Sequence, residues 1–229
     1  MQQVEELHDE SVAAEGYVIS APIGEDPSGA GLVNLSAIDF DALGELFARS
    51  PHKRTEAERL KGRIAAQLAR MVALNHSRLD YAERFRRMID EYNEGSKNVD
   101  EFFRELTEFA RGLSEEEQRA VAEGLTEEEL AVFDILTKPD PTLTKKEEAE
   151  VKRVAKELLA RLKEEKLVID WRLKQQARAD VQETIAEVLD RLPSAYEKKV
   201  YDRKCELTYR HVFAAYPDTG RSIYQLPSA

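Results

Sequence analysis

Apolar residues recur in this sequence at steps of three and four, and that spacing places them on one face of an α-helix rather than on a strand. Phe102, Phe103, Leu106, Phe109 and Leu113 form one stripe, and Val151, Val154, Ala155, Leu158 and Leu162 a second. Val181, Ile185, Val188, Leu189 and Leu192 form a third. Charged residues fill the spaces between them: they are 34% of the 229 residues, against roughly 25% in an average globular protein. Amphipathic helices with solvated outer faces accommodate that much charge. The pattern predicts an all-α, multi-helix domain in which the stripes pack against one another.

Helix starts and stops divide the chain. Ser or Thr followed three residues later by Glu satisfies two free amides of a first helical turn. The pattern occurs at Thr55/Glu58, Ser114/Glu117, Thr126/Glu129, Thr144/Glu147 and Ser194/Glu197, with a weaker version at Asn98/Glu101. Lys138-Pro139-Asp140-Pro141-Thr142 cannot continue a helix, since each proline lacks an amide donor and restricts the residue before it. It marks a hinge between an N-terminal helical half, 39–137, and a C-terminal one, 143–216. Arg191-Leu192-Pro193-Ser194 is a second stop and restart. Residues 1–38 read as a linker or the end of a preceding domain, partly helical. They include a short irregular segment with Gly24, Pro27, Gly29 and Gly31 and one short strand pair around Tyr17–Ser20 and Leu32–Asn34. Residues 217–229 form an irregular tail that wraps a surface or frays. No internal repeat of fixed period is visible.

Charge and cysteine content narrow the functional classes. A net charge of -11 opposes a chain that coats DNA or an anionic membrane as a whole. Cys205 is the only cysteine, so no internal disulfide can form and a reducing compartment is expected. No run approaches the roughly 20 apolar residues that span a bilayer. The first residues are acidic and polar, unlike a secretory signal, and a cytoplasmic location is the expectation.

The sharpest enzymatic candidate is a nuclease pattern. Pro139-Asp140 precedes Glu150-Val151-Lys152, a loose match to the two carboxylates and lysine that hold Mg²⁺ and position water in many metal-dependent nucleases. Those residues must converge from neighbouring strands. Here Glu150 and Lys152 flank Val151 on an amphipathic helix, and Asp140 lies between two prolines, so the context rules against it. No phosphate-binding Gly-x-x-x-x-Gly-Lys-Ser/Thr loop occurs. His8, His52, His76 and His211 lack metal-ligand spacing. No catalytic residue, cofactor or metal site is therefore assigned to the chain.

Two constellations remain. On a helix starting near Thr55, Arg59, Arg63 and Arg70 share a face, which suits contact with DNA phosphates or an acidic partner, or simply a solvated face partly neutralised by Glu56 and Glu58. Leu167-Val168-Ile169-Asp170-Trp171 ends in the only Trp, with Asp170 placed to cap a helix beginning there and Arg178 two turns on. Trp171 and Arg178 suit either a protein interface or a Trp pinning two helices beside a paired Arg.

Several segments together resemble the C-terminal region of the R (motor and restriction) subunit of type I restriction–modification enzymes. They are Val-Asn-Leu-Ser-Ala-Ile-Asp-Phe at 33–40, His-Lys-Arg-Thr-Glu-Ala-Glu-Arg-Leu at 52–60, and Glu-Tyr-Asn-Glu-Gly-Ser-Lys-Asn-Val at 91–99. Further along come Gly-Leu-Thr-Glu-Glu-Glu-Leu-Ala-Val-Phe-Asp-Ile-Leu at 124–136, Leu-Val-Ile-Asp-Trp at 167–171, Gln-Gln-Ala-Arg-Ala at 175–179 and Tyr-Arg-His-Val-Phe at 209–213. The resemblance implies a non-catalytic helical assembly module that docks an ATP-dependent translocase and endonuclease onto the methyltransferase core of modification and specificity subunits. ATP and Mg²⁺ would then serve the parent polypeptide upstream. The alternative is a DNA-contacting module built on Arg59, Arg63 and Arg70.

Overall fold

A computed structural model describes residues 38–225. Among the described residues the chain forms eight α-helices and no strand. They are α1 (Phe40–Arg49), α2 (Lys53–Leu74), α3 (Leu79–Asn93), α4 (Val99–Ala122), α5 (Glu127–Thr137), α6 (Lys145–Arg161), α7 (Gln175–Leu189) and α8 (Lys198–Ala215). The all-α expectation holds. The strand pair around Tyr17–Ser20 and Leu32–Asn34 lies outside the described residues. No helix among the described residues is long and apolar enough to cross a membrane.

Three of the expected starts are reciprocal capping boxes: Asn98/Glu101 opens α4, Thr126/Glu129 opens α5 and Thr144/Glu147 opens α6. The other three do not cap. Helix α2 begins at Lys53, ahead of Thr55, and α8 begins at Lys198, beyond Ser194. Ser114 lies within α4, because the buried stripe through Leu113 runs on to Ala120 and the helix propagates through the serine. A hydroxyl caps only where the backbone before it has left helical geometry. At the end of α4 it does leave: Gly124 takes a left-handed φ of 65°, and the amide of Leu125 donates to the Ala120 carbonyl at 2.9 Å. That reversal turns the chain sharply from α4 into α5.

Buried side chains gather in two clusters. The first joins α1, α2, α3 and the first part of α4, from Leu43 to Leu113. Phe47 stacks on Phe103 at 3.6 Å and Tyr92 on Phe102 at 4.1 Å. The second runs from Ala120 through α5, α6, α7 and α8 to Tyr216. The two meet within α4, and the apolar face of α5 joins the helices that follow it, while Asp134 on the same helix reaches back to Arg119, Asn75 and Ser77. The Lys138–Thr142 segment runs along this second cluster, where the Lys204 ammonium, fully buried, donates to the carbonyls of Ile135 at 2.8 Å and Lys138 at 2.7 Å. A cation at the C-terminal end of α5 answers the negative pole of that helix.

Candidate interaction surface

The connection from α6 to α7 is built around one buried ring. Helix α6 widens at its end into a π turn, Leu162–Lys166, with the Leu167 amide donating to the Leu162 carbonyl five residues back at 2.9 Å. The wider turn sends both Leu162 and Leu167 into the core. Asp170 then adopts φ 58°, a left-handed conformation in which Asp is among the better tolerated residues. Its amide donates to the Asp218 carboxylate at 3.0 Å, and the Thr219 hydroxyl donates to the Leu167 carbonyl at 2.6 Å. Trp171 is 0% exposed; its indole N–H donates to the Tyr216 carbonyl at 3.0 Å, and its ring meets Phe213 edge-on at 5.7 Å.

Two expectations change here. Asp170 caps no helix, because Trp171 lies in a turn and α7 starts at Gln175. Trp171 and Arg178 therefore do not share a helix face. The structure does bring them to one loop by another route: the Arg178 guanidinium, from the first turn of α7, donates to the Arg172 carbonyl at 3.2 Å. Its partner is a backbone oxygen, not a carboxylate. The left-handed turn at Asp170 drops the indole into the core and leaves its neighbours Ile169 and Leu173 outside.

A buried ion network clamps the two helical clusters where α4 and α5 meet the turn between α2 and α3. Arg78, in the 3₁₀ turn His76–Arg78 between α2 and α3, is almost fully buried and donates to Glu116 at 2.9 Å and to both carboxylate oxygens of Glu127. Arg119 reaches both oxygens of Asp134 and also holds Glu116, at 2.8 and 3.0 Å. Asn75 and Ser77 donate to Asp134 at 2.8 and 3.0 Å. Burial works against the charge on Arg78, but Glu127 and Glu116 outweigh it and hold the guanidinium above its ordinary pKa. Burial would likewise raise Asp134, yet Arg119, Lys138 and Asn75 keep it below the usual carboxylate range. Neither Arg78 nor Arg119 stood out in the sequence. Only Glu116 and Arg119, and Asp134 and Lys138, lie within a turn of each other; the other partners are far apart along the chain.

The α2 arginines keep their common face. Arg59 pairs with Glu56 at 3.3 Å and Arg70 with Glu117 at 3.9 Å. Arg63 is half-buried, and its Nη1 is shut off from solvent without a hydrogen-bond acceptor. Gln67, on the edge of the same face, donates to Glu117 at 2.7 Å. Carboxylates from α2 and α4 thus border the basic strip. The nuclease candidates are held by separate partners: Asp140 pairs with Arg203 and Lys204, and Lys152 with Glu123.

A family model described as type I restriction enzyme HindI endonuclease subunit-like, C-terminal, matches residues 1–213. The chain belongs to that family. No curated protein and no solved structure matches it. Within this C-terminal region of a type I endonuclease subunit, the matched stretch takes in the whole first cluster, the second as far as Val212, the whole ion network, Trp171 and Phe213. Tyr216 and Asp218, which complete the loop's support, fall beyond it, and Tyr216 contributes only a backbone oxygen to the indole.

Proposed function

We propose that this helical region is an assembly module, docking an ATP-dependent DNA translocase and endonuclease onto the methyltransferase core made of modification and specificity subunits. Membership in the C-terminal family of a type I restriction endonuclease subunit carries the proposal. A body whose two clusters are locked by Arg78 and Arg119 suits that task, since a rigid arm loses little conformational freedom on binding. ATP hydrolysis, Mg²⁺-dependent cleavage and their residues are then the work of other parts of the parent polypeptide.

The decisive experiment is sedimentation of the full endonuclease subunit with the methyltransferase, with and without residues 39–225. The intact subunit should co-sediment and the shortened one should not. Normal assembly of the shortened subunit, with its ATPase intact, would sink the proposal.

A second reading places duplex DNA on the α2 face, supported by the shared face of Arg59, Arg63 and Arg70. It predicts binding that weakens with salt and with Arg59→Glu and Arg70→Glu. The neighbouring Glu56 and Glu117 place it second.

A further inference from the structure

Three of the large apolar side chains that the described residues leave exposed lie in one loop, and a fourth packs on that loop. Val168, Ile169 and Leu173 lie in the α6–α7 loop at 45%, 65% and 80% exposure, and Phe213 of α8, at 37%, meets the same loop at Trp171 and Arg172. The Phe213 ring touches the buried Trp171, and the Arg172 guanidinium covers it at 4.9 Å, which fixes helix and loop as one surface. Side chains this exposed gain nothing for the fold, whereas the loop that carries them is fastened at many points. Asp218, Thr219 and Arg178 hold its backbone, the Trp171 indole ties it to the Tyr216 carbonyl, and the Lys174 ammonium donates to the Ile169 carbonyl at 2.8 Å. Apolar knobs on a pre-ordered loop bind with little ordering cost.

Charge identifies what would cover them. Arg172, Lys174 and Arg178 each donate to a backbone carbonyl, of Ala214, Ile169 and Arg172 respectively, and none lies within ion-pair distance of a carboxylate among the described residues. Elsewhere on the chain most cations are matched by acids, as the net charge of -11 allows. The Arg172 Nε is buried without an acceptor. Nearby, Asp218 accepts from the amides of Asp170 and Thr219 and feels the charges of Arg221 and Lys174 without pairing with either, and Asp170 is the open carboxylate of the loop. A surface of apolar knobs among three cations without ion pairs calls for a protein partner, since four exposed aliphatic and aromatic groups have no counterpart in a phosphate backbone.

We propose that Ile169 and Leu173, flanked by Val168 and Phe213, are the contact through which this region docks, seating in an apolar groove of the methyltransferase whose rim carries carboxylates. This rests on the assembly function proposed above. The test uses the full endonuclease subunit with Ile169→Glu and Leu173→Glu together, both outward-facing, with the wild-type melting profile as the control for folding. Affinity for the methyltransferase should fall about 30-fold or more, as when a hot-spot side chain is lost. Lys174→Glu should slow association and flatten its salt dependence, because an acidic rim attracts the cation. Wild-type affinity in the double variant, when deletion of residues 39–225 abolishes assembly, would overturn the contact but leave the docking function standing. Normal assembly after that deletion would overturn both. Association of Lys174→Glu at the wild-type rate and salt dependence would overturn the acidic rim.

Discussion

Arg119 of α4 and Asp134 of α5 meet end-on, each guanidinium Nη donating to a separate carboxylate oxygen, across the line where the two buried clusters join. Asp134 is 0% exposed, so its charge depends on this pairing and on Asn75, Ser77 and Lys138. Arg119→Met should therefore destabilise the protein by about 3–5 kcal/mol, as expected when one partner of a buried ion pair is removed. Adding Asp134→Leu should cost less than the two single changes summed. Urea denaturation of the two single variants and the pair measures both effects, and strict additivity would refute the coupling.

Acid should release the same clamp. Asp134 has a folded pKa below its ordinary 3.8, so its stabilising contribution is complete above that pH and is lost as pH falls through the folded value. Stability should drop steeply below about pH 4, and Asp134→Asn should lessen the slope there. Urea midpoints from pH 5 to pH 2 give the comparison.

His211 provides a second, earlier pH response. It is half-buried near His76, and its Nε2 lies 3.0 Å from the Tyr224 hydroxyl. The single phenol proton goes to the Leu74 carbonyl at 2.8 Å, so a neutral His211 donates from Nε2. Burial lowers its pKa from 6.5 to about 4, so the unfolded chain takes up the proton first. The stabilisation is therefore complete above pH 6.5 and lost as pH falls through 4, a change of up to about 3 kcal/mol. The melting temperature of wild type should fall relative to that of His211→Gln as pH drops across that window.

Trp171→Ala should cost about 3–5 kcal/mol through the cavity it leaves and the orphaned Tyr216 carbonyl. Trp171→Phe should cost less yet still free the loop. Circular dichroism melts report the loss, while hydrogen exchange at the amides of Asp170 and Trp171 reports the loosening. Unchanged exchange in Trp171→Phe would show that the indole N–H does not hold the loop.

How much of this was legible in the sequence follows the distance over which each feature is decided. The helices were, because a stripe such as Phe102–Leu113 and a cap such as Thr126/Glu129 depend on residues a turn or two apart. Thr55, Ser114 and Ser194 mimicked caps because spacing alone does not report whether the backbone there has left the helix. Asp170 mimicked one too; the burial of Trp171 and the grip of Asp218, 48 residues away, decide its conformation instead. Arg78 carried no signal, since its partners Glu116 and Glu127 lie 38 and 49 residues downstream. The α2 arginines showed the reverse: their common face was visible, but the neighbouring Glu117 of α4 was not.

The hydrogen bond from Tyr224 to the Leu74 carbonyl joins residues 150 positions apart. Chains emerge from the ribosome N-terminal end first and fold largely in that order. The first helical cluster, complete by Leu113, can therefore settle while α5 to α8 are still being made. The Tyr224 bond cannot form until almost the last described residue has been synthesised. Assembly of the region thus carries a built-in sequence in time, and a nascent chain that stops short of Tyr224 leaves the end of α2 without its final fastening.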